Sequence, residues 1–135
     1  MTENTIRLER HIPHPSTAVW AALTTPELLA RWWAPGDIRP AVGHRFTMDM
    51  GPWGQQQCEI LAVEPGTSIS FLFSEGQLDT TVTWRLDAVD DGTILHFEHA
   101  GFRVDTPLGQ KAFEGMGNGW PGLLSRIDRV LATVS

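Results

Sequence analysis

Among the side chains able to do proton-transfer chemistry, His99 stands out in this sequence. It shares an alternating face with Leu95 and Phe97, which predicts that it points inward from a strand. An inward imidazole needs hydrogen-bonding partners and titrates near neutral pH. Three roles stay open for it: a hydrogen-bonded core or rim histidine, a ligand contact, or a general acid or base.

The other reactive groups are few. There is no tyrosine and a single lysine, so a Schiff base could form only at Lys111 or the N-terminus. The lone Cys58 excludes an internal disulfide and a multi-cysteine zinc site, and we interpret it as a packing residue. The glycines of 115–122 lack the Gly-Lys-Ser/Thr ending of a phosphate loop, so no cofactor is predicted.

Metal binding and carboxylate chemistry have weak support. His96 and Glu98 lie two residues apart on an outward face, and two ligands are too few for zinc, so no metal site is predicted. Some carboxylates could lie near a cavity mouth, but no pair has a spacing that identifies acid–base catalysis. These carboxylates are Asp49, Glu59, Glu75 and Asp79.

Composition narrows the class of protein. The chain has 135 residues, 41% of them hydrophobic, and a formal net charge of −6, which argues against nucleic acid as a partner. No apolar run approaches the ~20 residues that a membrane-spanning helix needs. We expect a single domain over residues 1–135 with a cytoplasmic location. Six Trp and six Phe without any Tyr make the aromatic surface apolar, which suits packing or contact with an apolar ligand.

The order of elements follows from hydrophobic periodicity. A first strand over Thr5–His11 is followed by two short helices, one capped by Ser16 and one started by Thr25 and Pro26. The period then changes to two, and short turns favour an antiparallel meander. The predicted strands cover 45–50, 57–64, 68–74, 78–89 and 94–99.

Helical spacing returns in the C-terminal third, from Phe113 to Leu131. Pro121 interrupts it, so the helix either starts near Gly119 or runs from about Pro107 with a kink. The upstream periodicity favours the kinked helix.

These elements predict an α+β architecture, in which a curved antiparallel sheet of about six strands wraps around the long C-terminal helix. Their apolar faces either fill a core or line a hollow that accepts a hydrophobic molecule. Glycines on the covering helix favour a hollow, and Trp32 and Trp33 could form part of its lid. The predicted ligand contacts are Phe46, Met48, Phe71, Phe73, Trp84, Phe97, His99, Phe113, Met116 and Trp120.

Four sequence blocks, in order along the chain, carry a family resemblance. They are Ala18–Leu23 continued by Thr25–Pro35, then Cys58–Pro65, Gly92–Phe102 and Gly119–Ile127. Together they resemble the heat-shock protein 90 ATPase activator homologue-like family. That family belongs to the START-like, polyketide cyclase and lipid-transport superfamily, so the resemblance implies the helix-grip fold.

The resemblance and the apolar faces together favour binding of a hydrophobic or aromatic small molecule between the sheet and the C-terminal helix. Cyclisation, dehydration or addition on a polyketide-like or isoprenoid-like substrate stays open, with His99 as the proton-transfer candidate. The alternative function is a chaperone ATPase-activator-like interaction module without catalysis. A chaperone partner is less favoured, because the additional chaperone-binding domain of eukaryotic activators is not expected here, and a homodimer stays open.

Overall fold

The computed structural model describes residues 4–133, which form six strands and three α-helices. In chain order, they are β1 (Ile6–Ile12), α1 (Ser16–Thr24), α2 (Pro26–Trp32), β2 (Arg45–Asp49), β3 (Gln55–Glu64), β4 (Ser68–Phe73), β5 (Thr80–Val89), β6 (Gly92–Ala100) and α3 (Pro107–Thr133). A short 3₁₀ turn over Gly51–Trp53 joins β2 to β3.

The six strands form one antiparallel sheet in the order β1-β6-β5-β4-β3-β2. Strands β2 to β6 pair with their neighbours in sequence, and β1 pairs with β6 from Ile6 opposite His99 to Ile12 opposite Thr93. Alternate residues of β4 and β6 are buried, as a sheet with one covered face requires. The predicted α+β helix-grip fold is therefore confirmed.

The long helix α3 covers the sheet and contacts β1, α1 and α2. It runs through Pro121 without a break, which confirms the longer of the two predicted helices. Its apolar side in the second half is buried at Leu124, Ile127 and Leu131. A bidentate ion pair also holds the second half of α3 against β1. The Arg10 guanidinium on β1 donates to the Asp128 carboxylate at 3.2 and 2.8 Å.

Several predicted boundaries were wrong by one or two residues, including the start of β6, which is Gly92 instead of position 94. Strand β3 begins at Gln55 instead of position 57, and β5 begins at Thr80 instead of position 78. Strand β5 begins later because the chain before it forms a tight turn. In this turn Ser74 has a φ of 65°, and its carbonyl oxygen accepts the backbone N–H groups of Gln77, Leu78 and Asp79. In addition, Ser16 is the first residue of α1 rather than its cap, which is Pro15.

The start of β6 depends on a glycine, because the chain there passes against the end of β1. Gly92 has a φ of 146°, and a Cβ at this position would clash with the Ile12 carbonyl oxygen. The Cβ position is fixed by the Gly92 backbone and the atom it meets is a backbone oxygen, so the clash cannot be relieved by a rotamer change. By contrast, Gly66 between β3 and β4 has a φ of 77° with nothing within 4 Å of its Cβ position.

We therefore predict that Gly92→Ala lowers the free energy of unfolding by about 3 kcal/mol or more, from overpacking added to backbone strain. Gly66→Ala is the matched control, and its strain alone costs about 1 kcal/mol. Urea unfolding of both variants measures the difference. Equal losses in the two variants would contradict the close approach of β6 to β1.

Candidate ligand cavity between the sheet and the long helix

A cavity of about 320 Å³ lies between the first half of α3 and one end of the sheet. We call it the α3 cavity. Its lining residues are Trp33, Met50, Trp53, Gln56, Phe73, Ser74, Gln77, Leu78, Leu108, Lys111, Ala112, Gly115, Met116, Gly119, Trp120 and Leu123. They come from the end of α2, the β2–β3 connection with the start of β3, the end of β4 with the turn after it, and the first half of α3.

Aromatic rings form one wall of the α3 cavity. Trp33 follows the last residue of α2, and its ring stacks on Phe73 at a centroid distance of 5.7 Å. The Trp120 ring meets Trp33 edge to face at 4.9 Å. Contacts of this geometry are favourable between aromatic quadrupoles and hold the three rings in fixed relative positions.

Glycines reduce the side-chain volume that α3 places at the cavity. Gly115 and Gly119 of α3 line the α3 cavity, and a Cβ at either position would meet nothing within 4 Å. Glycine in a helix interior lowers helix stability by roughly 0.5–1 kcal/mol relative to alanine. The first half of α3 therefore leaves space over the sheet, while its second half packs closely.

The α3 cavity has one buried polar end. Ser74 Oγ donates to Gln56 Oε1, and Gln56 Nε2 donates to the Trp53 carbonyl oxygen at 2.8 Å. Both side chains are buried. An amide nitrogen carries two hydrogens, and the second one on Gln56 has no partner among residues 4–133. This end of the cavity therefore offers a hydrogen-bond donor.

His99 lies behind the aromatic wall rather than in it. The Trp120 indole N–H can only donate, and it donates to His99 Nδ1 at 3.1 Å. The proton of the neutral ring must then be on Nε2, which donates to Thr80 Oγ1 at 2.8 Å. Thr80 Oγ1 in turn donates to the Phe73 carbonyl oxygen at 3.2 Å.

The environment of His99 opposes its protonation. The side chain is fully buried, and desolvation lowers its pKa from 6.5 to about 3. A neutral imidazole with both nitrogens engaged holds the Trp120 ring in place. This placement confirms that the side chain points inward, and it leaves neither ring nitrogen directed at the α3 cavity.

The predicted ligand contacts fall into two groups. Phe73, Met116 and Trp120 line the α3 cavity. The others lie outside its lining: Phe113 is half-buried against Phe102, and the rest are buried in the core. This buried group is Phe46, Met48, Phe71, Trp84, Phe97 and His99.

Several lining residues were missed from sequence, and some had a usable signal. Trp33 was expected in the lid and does line the α3 cavity. Trp53 belongs to a Gly-Pro-Trp-Gly stretch, which is typical of a turn, and Lys111 was noted only for its amine. Gln56 and Ser74 had no signal, because Gln56 lies outside the predicted strand 57–64 and hydrophobic periodicity does not indicate the hydrogen bond between the two side chains.

The remaining reactive groups lie elsewhere. Burial raises the pKa of the Cys58 thiol to about 12, which suits a packing residue and not a nucleophile. The carboxylates of Glu59 and Glu75 both contact Arg45, at 3.0 and 3.4 Å. Asp49 and Asp79 accept backbone N–H groups in turns. None of these carboxylates is among the described lining residues of the α3 cavity.

The fold and its cavity define a helix-grip protein of the START-like superfamily with an apolar hollow under its long helix. Residues 13–132 match the family described as activator of Hsp90 ATPase homolog 1-like protein, and the chain belongs to this family. No curated protein matches it. Within residues 4–133, no helix has the length and apolarity required to cross a membrane.

Solved structures show the same fold over nearly the whole chain. Protein MLL2253 from Mesorhizobium loti is 36% identical with a TM-score of 0.85, over 97% of this chain and 98% of its own. Protein BH1534 from Bacillus halodurans is 27% identical with a TM-score of 0.81, over 94% and 96% of the two chains. DynU16, from the dynemicin biosynthetic locus, is 22% identical with a TM-score of 0.83, and the match covers 99% of this chain and 49% of its own.

The buried neutral His99 predicts a specific pH dependence of stability. Since its folded-state pKa of about 3 is below the unfolded value of 6.5, the unfolded chain binds the extra proton between these pH values. The stabilising contribution of His99 to the free energy of unfolding is complete above pH 6.5, decreases as the pH drops below 6.5, and levels off near pH 3. From pH 7 to pH 5 we predict that the free energy of unfolding decreases by about 2 kcal/mol because of His99, and that the variant His99→Gln lacks this decrease.

Urea unfolding at both pH values measures this difference. Thr80→Val is the control, because it removes the hydrogen bond to His99 and keeps the imidazole, so it retains the pH dependence. An identical loss between pH 7 and pH 5 in wild type and His99→Gln would show that His99 titrates normally in the folded protein.

Proposed function

We propose that this protein binds an apolar or aromatic small molecule in the α3 cavity. The observation that carries the proposal is a hollow of about 320 Å³ that combines a wall of fixed aromatic rings with a helix wall thinned by Gly115 and Gly119. Ligand sites in proteins are typically apolar hollows of ~300–1,000 Å³ with a few placed polar groups.

The rim of the α3 cavity supports entry from solvent. Trp53 and Leu108 both line it, and their side chains are 73% and 58% exposed. Single exposed apolar side chains are ordinary on protein surfaces, but here two large ones border one opening. They provide apolar contact to a ligand that has only partly left water.

The polar groups favour binding over acid–base chemistry. Lys111 is the one ionisable side chain among the described lining residues, and His99 is held behind Trp120. Cyclisation or dehydration of a bound substrate stays a prediction, and positioning by the cavity walls would have to supply most of its acceleration.

Filling the α3 cavity tests the proposal without weakening the fold. We predict that Gly119→Leu lowers the affinity for the uncharged fluorescent probe N-phenyl-1-naphthylamine by about tenfold or more, because the new side chain occupies ligand space. The matched control is Gly122→Leu on the same helix, where a Cβ also meets nothing within 4 Å but the residue does not line the cavity. Both substitutions replace a helical glycine, so both should stabilise α3 by about 0.8 kcal/mol.

Fluorescence titration gives the affinities, and thermal melting confirms that each variant is folded. Equal affinity in wild type and Gly119→Leu would place the probe outside the α3 cavity. No saturable binding to wild type, across this probe and a panel of apolar and aromatic compounds, would contradict the proposed function. It would favour the alternative of a protein-interaction module.

A further inference from the structure

We infer that the ligand of the α3 cavity is an amphipathic organic anion, with its apolar body in the hollow and its acidic group at Lys111. The inference rests on the proposed function and names the class of ligand. Its starting point is the distribution of charge around the opening.

Lys111 has no partner for its charge within the described part of the chain. It is the only lysine of the chain and lies on the wall of the α3 cavity, exposed to solvent. Among residues 4–133, no ion pair or hydrogen bond engages its ammonium group. An unpaired ammonium beside an apolar hollow is placed to meet an anionic group of whatever enters.

Acidic side chains of the turn after β4 have arginine partners. Glu75 and Asp79 belong to the turn after β4 that supplies lining residues, and arginines contact both of them. Glu75 lies 3.4 Å from Arg45, and Asp79 lies 3.8 Å from Arg103. Glu114, three residues after Lys111 on α3, accepts a hydrogen bond from the Gln110 side-chain amide at 3.5 Å. It forms no ion pair with Lys111 among residues 4–133, although acids outnumber bases in the chain by 16 to 10.

The negative net charge of the chain gives the positive charge of Lys111 its meaning for the class of ligand. A formal net charge of −6 disfavours the approach of anions in general, so a local positive group favours an anionic ligand at this site. The buried polar end of the cavity also presents a donor, the free amide hydrogen of Gln56. Lys111 at the rim and Gln56 at the buried end therefore both suit acceptor groups on the ligand. The charged acceptor group is expected at Lys111.

A matched pair of probes tests the inference. N-phenyl-1-naphthylamine is uncharged, and 8-anilino-1-naphthalenesulfonate has the same ring body with one sulfonate added. We predict that Lys111→Met weakens binding of the sulfonate probe by about fivefold, as expected for a partly exposed ion pair. The affinity for the uncharged probe should change by less than about twofold, because its apolar contacts are retained.

Two control variants separate a contact from a general charge effect. Arg126→Met removes one positive charge from the same helix, at a residue outside the lining of the α3 cavity, and should leave the affinity for both probes unchanged. Lys111→Arg retains the charge and should keep most of the affinity for the sulfonate probe. Raising the salt concentration should weaken binding of this probe to wild type more than to Lys111→Met.

Competition extends the test to carboxylates. Decanoate and 1-decanol differ in their polar end, and each is used to displace N-phenyl-1-naphthylamine. Decanoate should lose several-fold in potency with Lys111→Met, whereas 1-decanol should not.

The outcomes distinguish this inference from the proposed function. If the uncharged probe binds but Lys111→Met affects both probes equally, or neither, the anion inference is overturned and the cavity proposal stands. If neither probe binds wild type in a saturable way, the proposed function fails and the anion inference fails with it.

Discussion

The structure depends on one constraint: α3 is a single helix with two differently built halves. In the second half, large apolar side chains and the Arg10–Asp128 ion pair hold the helix tightly to its neighbours. In the first half, Gly115 and Gly119 provide no side chains to fill the space over the sheet. Because the helix continues through Pro121, the packed half fixes the position of the open half. The α3 cavity is thus a consequence of helix continuity together with a change in side-chain volume along the helix.

The buried polar groups stabilise the wall of this cavity. A chain of hydrogen bonds runs from Trp120 through His99 and Thr80 to the backbone of β4. Each member has a partner, so burial costs less than it would for an isolated polar group. The imidazole has only one tautomer that satisfies both neighbours. His99 therefore acts as a positioning residue for Trp120, and the cavity acquires a ring of fixed orientation on the side facing the sheet.

Much of the fold could be predicted from sequence, because period-two and period-3.6 patterns report directly on which face of an element is buried. That reasoning placed His99 inward and indicated a helix through Pro121. The lining of the α3 cavity was less accessible to it. Alternation identifies a buried face but not whether a side chain there meets another side chain or open space, and so Phe71 and Trp84 could not be told apart from Phe73. The contributions of Gln56 and Lys111 depend on how separate elements meet in three dimensions, which no local pattern encodes.

An apolar ligand in the α3 cavity would change the indole N–H resonances of the tryptophans that line it. Trp33, Trp53 and Trp120 line the cavity, whereas Trp20 lies on α1 outside it. In a two-dimensional ¹H–¹⁵N spectrum titrated with N-phenyl-1-naphthylamine, we expect saturable shifts of the three lining resonances and an unchanged Trp20 resonance. Absence of any shift, or shifts that are largest at Trp20, would contradict binding in the α3 cavity.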